Sequence, residues 1–153
     1  MKITVEGFSP GESIPPEQSK LGGNRSPAIS FHDVPANARS LMLIVDDPDA
    51  PHGLFTHWVV FNIDPKLAGL REGEVPEIAT EGKNSWDEIG YGGPQPPDRE
   101  HRYFFHLYAL DIPLAVGPGA DRRLVEREAQ GHILEAAEYM GRYAPHTAEL
   151  AGR

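Results

Sequence analysis

Asp47, Asp49, His52 and His57 are gathered in one stretch, Asp46 to Asp64, which reads Asp-Asp-Pro-Asp-Ala-Pro-His-Gly-Leu-Phe-Thr-His-Trp-Val-Val-Phe-Asn-Ile-Asp. Carboxylates and imidazoles side by side, with aromatics next to them, suit a polar pocket, because buried charges persist only when paired or hydrogen-bonded. Asp and Pro also favour turns for purely local reasons, so an Asx-rich turn without a ligand fits the same residues. Farther along, His101-Arg102-Tyr103 adds another imidazole and a phenol.

Whether these groups meet depends on the elements that carry them. The apolar run Leu41 to Val45 is too short for a helix, and acidic residues and prolines follow where a buried strand must stop. Trp58 to Ile63 is a second such run, apolar on both faces, and it reads as a strand in a sheet covered on both sides. His57 then stands at the mouth of the returning strand, near Asp47 and Asp49. His101 to Leu110 is the most β-prone run and predicts a central strand. It emerges from Asn84 to Pro97, a Gly/Pro loop whose Trp86 and Tyr91 argue against disorder. If this strand neighbours the first two, His101 and Tyr103 lie beside the Asp/His rim.

Elsewhere, Lys2 to Phe8, Ala28 to Phe31 and Ser40 to Val45 predict strands, Ile78 to Thr80 a strand fragment, and Ser9 to Pro27 a loop. From Asp121 to Tyr143 the spacing of Val125, Ala129, Ile133, Ala136, Ala137 and Met140 predicts a helix, with Asp121 as N-cap and Gly141 near its end. Gly131 inside it costs about 1 kcal/mol relative to Ala, so the helix breaks there or something packs closely against it. The tail from Tyr143 to Arg153 reads as a cap over the body or a frayed end.

At 153 residues the chain fits a single domain, residues 1–153. That length buries about 68 to 70% of the unfolded surface without disulfides or metal. With no cysteine, a disulfide framework, a thiolate zinc site and a cysteine nucleophile are excluded. Acidic residues number 23 against 14 Lys and Arg, a net charge of −9 that opposes non-specific attraction to nucleic acid or anionic membrane. The opening residues lack a secretory pattern and no apolar run reaches membrane-spanning length, which predicts a cytoplasmic protein with no integral membrane segment. The 15 prolines and 16 glycines, spread through the first two thirds, suggest a β-rich body with long, rigid loops.

Several chemistries compete for the motif. A metal site would draw on His52, His57, His101, Asp47 and Asp49, but no two histidines show His-x3-His helical spacing. A serine hydrolase lacks its Gly-x-Ser-x-Gly elbow. Glycoside chemistry would need Asp47 and Asp49 to flank a sugar, which their spacing does not establish. An anion or zwitterion pocket accounts for all the residue types, with Gly92 and Gly93 letting backbone N–H groups approach a ligand. Because a phosphate cannot sit against bare carboxylates, Asp47 or Asp49 would charge an imidazole or meet an ammonium, leaving the phosphate to His57, Tyr103 and backbone donors. His101 and Tyr103 equally suit anchoring of the loop to the sheet.

Asp47-Pro48-Asp49-Ala50-Pro51, His57-Trp58-Val59-Val60, Gly90-Tyr91-Gly92-Gly93-Pro94, Pro96-Pro97 and His101-Arg102-Tyr103 occur in an order that resembles the phosphatidylethanolamine-binding protein family, which includes Raf kinase inhibitor proteins and plant flowering regulators. The ending Gly131-His132-Ile133-Leu134 looks like its bacterial and archaeal branch. The resemblance implies a mainly β fold: a large antiparallel sheet with a smaller sheet packed on it, a flanking C-terminal helix or helices, and an anion pocket at one sheet edge. It implies ligand-binding roles for Asp47, Asp49, Pro51, Phe55, His57, Gly93, Pro94, His101 and Tyr103. Phe55 stands where many relatives carry Trp, which keeps an aromatic wall. Gln95 replaces a Cys of many bacterial relatives, which argues against a redox role. Arg99 replaces a common loop glycine and would narrow or reposition the mouth. The function so implied is binding of small anionic, phosphate-bearing ligands such as phosphoethanolamine-like head groups, with no cofactor, metal or catalysis. A module that inhibits a kinase or protease partner is the alternative, and a metal-dependent hydrolase the third.

Overall fold

The computed structural model of the protein describes residues 1–145. In chain order the strands are β1 (Lys2–Val5), β2 (Ile29–His32), β3 (Ser40–Asp47), β4 (Phe55–Ile63), β5 (Gly69–Leu70), β6 (Thr80–Glu81), β7 (His101–Leu110) and β8 (Ile133–Tyr143), with one α-helix, α1 (Arg122–Ala129), before β8. They form a five-stranded sheet of order β6-β4-β3-β7-β8 and a three-stranded sheet of order β1-β2-β5, every named pair antiparallel. This is the large-plus-small sheet architecture that the sequence resemblance implies.

β3 sits at the centre because it is apolar on both faces, and all eight of its residues are buried. One face, with Leu41, Leu43 and Val45, packs with Trp58, Val60, Phe105 and Leu107 against Ile3, Val5, Ile29 and Phe31 of the small sheet. The other, with Met42 and Ile44, packs with Val59 and Phe61 under Val125 and Ala129 of α1. Burying an aliphatic side chain contributes about 1.5–3 kcal/mol, so this double-sided burial fixes the register of β3 and hence the position of its acidic end.

The helix over Asp121 to Tyr143 is not observed at that length. Asp121 does cap it, accepting from Leu124 N at 2.9 Å, but α1 ends at Ala129. Gly131 follows with φ +84°, and Ile133–Tyr143 runs as a strand along the whole of β7. An antiparallel ladder of this length outweighs helix propensity, and Ala137, Tyr139, Gly141 and Tyr143 alternate inward with the strand period of two. Gly141 therefore does not end a helix: a Cβ there would lie 2.4 Å from the Phe8 ring, so the glycine admits the packing of Phe8 on β8. The first strand stops at Val5 rather than Phe8, and the short strand placed at Ile78 to Thr80 is Thr80–Glu81. Of the tail from Tyr143, only the residues up to Pro145 are described, and the remainder lies outside the described residues. No helix among the described residues is long and apolar enough to cross a membrane.

Candidate functional site

At one end of the large sheet, β3 finishes, β4 begins and β7 begins, because antiparallel neighbours alternate direction. Asp47 pairs with Phe55 across β3 and β4, and Asp46 with Phe104 across β3 and β7. The sequence motifs therefore meet. A cavity of about 450 Å³ opens here, lined by Asp47, Pro51, Phe55, His57, His101 and Tyr103, and also by Trp86, Gln95 and Pro97 of the preceding loop.

A β-bulge aims His57. Val45 pairs with Trp58 while the next residue, Asp46, pairs with Thr56, so His57 is the extra residue left between them. Such a bulge re-aims a side chain that strict alternation would send to the other face. Thr56 thus faces Arg122 of α1, at 3.4 Å from its Nη1, while His57 turns toward Tyr103. Its ring is boxed by Phe55 at 5.1 Å, Trp86 at 5.1 Å and Tyr103 at 5.2 Å between centroids. Phe55 and Trp86 meet edge to face at 4.6 Å and complete an aromatic wall.

His57 is only 4% exposed, and its Nδ1 lies 2.7 Å from the Gly92 carbonyl oxygen. A carbonyl only accepts, so Nδ1 carries the proton and Nε2 is left for a ligand. Burial lowers the His57 pKa below its ordinary value, outweighing the Gly92 and Gly93 backbone and the charge of Asp47, which raise it. The unfolded chain, with a histidine near pH 6.5, therefore takes up a proton before the folded chain does. Stability from this group is full above about pH 6.5 and is lost as pH falls through the depressed folded value. Melting curves of the parent and His57→Phe should accordingly differ in slope against pH between about 5 and 7, with the parent more acid-sensitive.

Of the imidazoles that the sequence offered Asp47 or Asp49, Asp47 takes His101 and not His57. Its Oδ2 lies 2.6 Å from His101 Nδ1 and its Oδ1 accepts from Asp49 N at 2.7 Å. The other His101 nitrogen, Nε2, lies 2.7 Å from Asp98 Oδ1. Carboxylates only accept, so both ring nitrogens donate and His101 is an imidazolium clamped by two carboxylates. Its ring lines the cavity but its nitrogens are occupied, which makes it an anchor for the loop. Asp49 is not at the cavity: Arg102 grips it with Nε and Nη2, each at 2.9 Å, and its carboxyl is held well below the usual range. Arg99 stays exposed beside Asp98 and is not among the residues that line the cavity.

Tyr103, 1% exposed, lines the cavity, and its buried hydroxyl has no hydrogen-bond partner among the described residues. It lies close to Asp47 and the Gln95 backbone without the geometry of a hydrogen bond to either. Burial and the neighbouring Asp47 and Asp49 charges raise its pKa, so the phenol remains a donor. Gly93 and Pro94 stand behind the wall: Gly93 N donates to Asn24 Oδ1 at 2.8 Å and Pro94 O accepts from Lys20 N at 3.0 Å. Trp86 was visible in the sequence only as an aromatic in an irregular loop. Asn84 places it, accepting from Trp86 N at 2.9 Å and Glu88 N at 3.2 Å and donating to Gly90 O at 3.1 Å.

His52, His57 and His101 all line this cavity, yet among the described residues no three His, Asp or Glu side chains are grouped as a metal site requires. A larger cavity, about 990 Å³, lies beyond Ser85 and carries Lys83, Arg122, Arg123 and Arg127. Two of these charges are internally paired, Arg122 with Asp46 at 2.7 Å and Lys83 with Asp87 at 3.2 Å. Asp46 also meets His106 at 3.1 Å, and although burial raises its pKa most, these partners hold it below the ordinary value. The sequence motifs meet at the aromatic-walled cavity instead, which remains the site candidate.

The family model for the phosphatidylethanolamine-binding protein matches residues 4–144. UPF0098 proteins from Chlamydia trachomatis and Methanothermobacter thermautotrophicus are 44% and 43% identical over 148 residues, each alignment covering 94% of this chain and 98% of the relative. A Chlamydia trachomatis crystal structure described as a homologue of that family is 44% identical, with a TM-score of 0.89 over 93% of this chain and 95% of that one. E. coli YbcL, described as a new member of the mammalian family, is 28% identical with a TM-score of 0.87 over 93% and 96%. On the family match over nearly its whole length, and with the fold in agreement, the chain belongs to the phosphatidylethanolamine-binding protein family.

Proposed function

We propose that this chain is a non-catalytic, single-domain binding protein for small phosphate-bearing anions of the phosphoethanolamine kind. The observation that carries the reading is the buried Tyr103 hydroxyl without a partner beside the free Nε2 of His57, in an aromatic-walled cavity. Leaving a buried polar group unsatisfied costs about 1–3 kcal/mol, which a ligand oxygen would recover. Pro51, Phe55 and Trp86 would shield the ligand, His101 and Asp47 would hold the wall, and Asp49, Gly93 and Pro94 would support the loops from behind. Ser85 Oγ accepts from Thr56 N at 2.8 Å and, among the described residues, has no imidazole bonded to it, which favours binding over a serine-type reaction.

Titration of ¹⁵N-labelled protein with phosphoethanolamine should move the amide signals around His57 and Gly92, and His57→Ala should lose the response while staying folded. Tyr103→Phe separates site from scaffold. It should weaken binding at least about tenfold, the worth of a hydrogen bond to a charged group, yet leave the melting temperature unchanged or higher because an unsatisfied hydroxyl has gone. Unmoved signals in the parent would sink the proposal.

A further inference from the structure

We infer that the cavity selects phosphate monoesters carrying one proton over phosphodiesters and sulfate, because it meets the anion with a neutral donor and a neutral acceptor instead of a cation. This deepens the reading above and rests on it. Among the described residues, no Lys or Arg lines the cavity. The nearby basic groups are spent elsewhere: Lys20 lies over the Trp86 ring at 4.2 Å and bonds Glu88 at 3.3 Å, and Arg102 is held by Asp49. His101 is held between Asp47 and Asp98, which outnumber it. Two carboxylates against one imidazolium leave the wall net negative, which opposes a dianion more than a monoanion.

The hydrogen-bonding groups point the same way. Gly92 O takes the Nδ1 proton of His57, so Nε2 presents a lone pair, and Tyr103 presents an O–H. A monoester monoanion answers both, its P–OH donating to Nε2 and a P–O oxygen accepting from Tyr103. A phosphodiester has no P–OH, and sulfate has no proton at neutral pH. Either would require His57 to become charged, which its burial opposes. The titratable groups about His57 are Asp46 and Asp47 from β3 and Tyr103 from β7, with His101 behind Asp47 and His52 in the cavity lining from the turn between β3 and β4. The 84–97 loop brings only Trp86 and the Gly92 and Gly93 backbone.

Phosphoethanolamine and glycerophosphoethanolamine form a matched test, monoester against diester with the same ammonium, and the diester stands for the head group of an intact phospholipid. At pH 5.5, calorimetry should show phosphoethanolamine binding at least about tenfold more tightly than glycerophosphoethanolamine or sulfate. With a second phosphate pKa near 6, its affinity should fall roughly twentyfold by pH 7.5 as the monoanion is lost. Independently, the ¹⁵N shifts of the His57 ring at pH 7 should report a neutral imidazole with its proton on Nδ1. Equal affinities for the two esters, sulfate matching phosphoethanolamine, or a proton on Nε2 would each overturn the selection while leaving anion binding intact. Failure of all three ligands to bind would overturn the anion reading and the selection together.

Discussion

Asp47→Ala is expected to cost about 3–5 kcal/mol of folding stability, the usual loss when one member of a buried charge pair is removed. Asp47 and His101 are 3% and 1% exposed, so the imidazolium left behind cannot turn to water. The loss should fall toward the lower end of that range because Asp98, at the surface, still holds Nε2 at 2.7 Å. Asp47→Asn is the informative companion. Its single oxygen must serve either His101 Nδ1 or Asp49 N, and the amide NH₂ then faces a donor at the other contact. That mismatch should cost about 1–3 kcal/mol. Urea denaturation of the three proteins measures both steps, and a loss below 1 kcal/mol for the Ala variant would mean that the clamp is not what holds His101.

A second large effect is expected at Gly93→Ala. A Cβ at this position would stand 2.0 Å from Gln18 O, 2.8 Å from Ser19 C and 2.9 Å from Lys20 N, all backbone atoms with no rotamer to yield. The two loops would have to separate, straining the Lys20 N to Pro94 O bond at 3.0 Å and the Tyr91 hydroxyl to Gln18 O bond at 2.7 Å. Overpacking a well-filled site typically costs about 1–3 kcal/mol, and a backbone clash of this depth should exceed that range. Gly92, next in line, carries the carbonyl that receives His57 Nδ1–H, so the variant should also lose phosphoethanolamine binding at temperatures where it is still folded. Gly117→Ala is the control, since nothing lies within 4 Å of its Cβ, and it should change stability by no more than about 0.5 kcal/mol. Equal melting temperatures for the two variants would refute the clash.

The sequence alone determined the scaffold of the site. Two apolar runs, Leu41 to Val45 and Trp58 to Ile63, must be buried on both faces, so their ends, with Asp47 and His57, must lie at a sheet rim. The β-prone run from His101 could only start where the Gly/Pro loop released it. The ordered motifs carried the family, and with it the two sheets. β3 nevertheless runs on through Asp46 and Asp47, because partners remote in sequence, Arg122, His106 and His101, neutralise carboxylates that by themselves would end a buried strand.

Only the tertiary structure decided which partner each charged group takes. Spacing brings Asp47 and Asp49 equally near His57, yet one clamps His101 and the other binds Arg102, because the pairing register of β3 with β7 sets those distances. The bulge that turns His57 away from the α1 face is a mismatch between two strands, a property of neither one alone. The end of the chain shows the same dependence. Ala136, Ala137 and Met140 satisfy helical spacing, yet on β8 Ala137 turns inward while Ala136 and Met140 take the other face, and the choice fell to the free edge of β7, whose unpaired N–H and C=O groups needed a partner strand. Local pattern fixes which apolar runs are buried, whereas hydrogen-bond register between distant segments fixes which side chains meet.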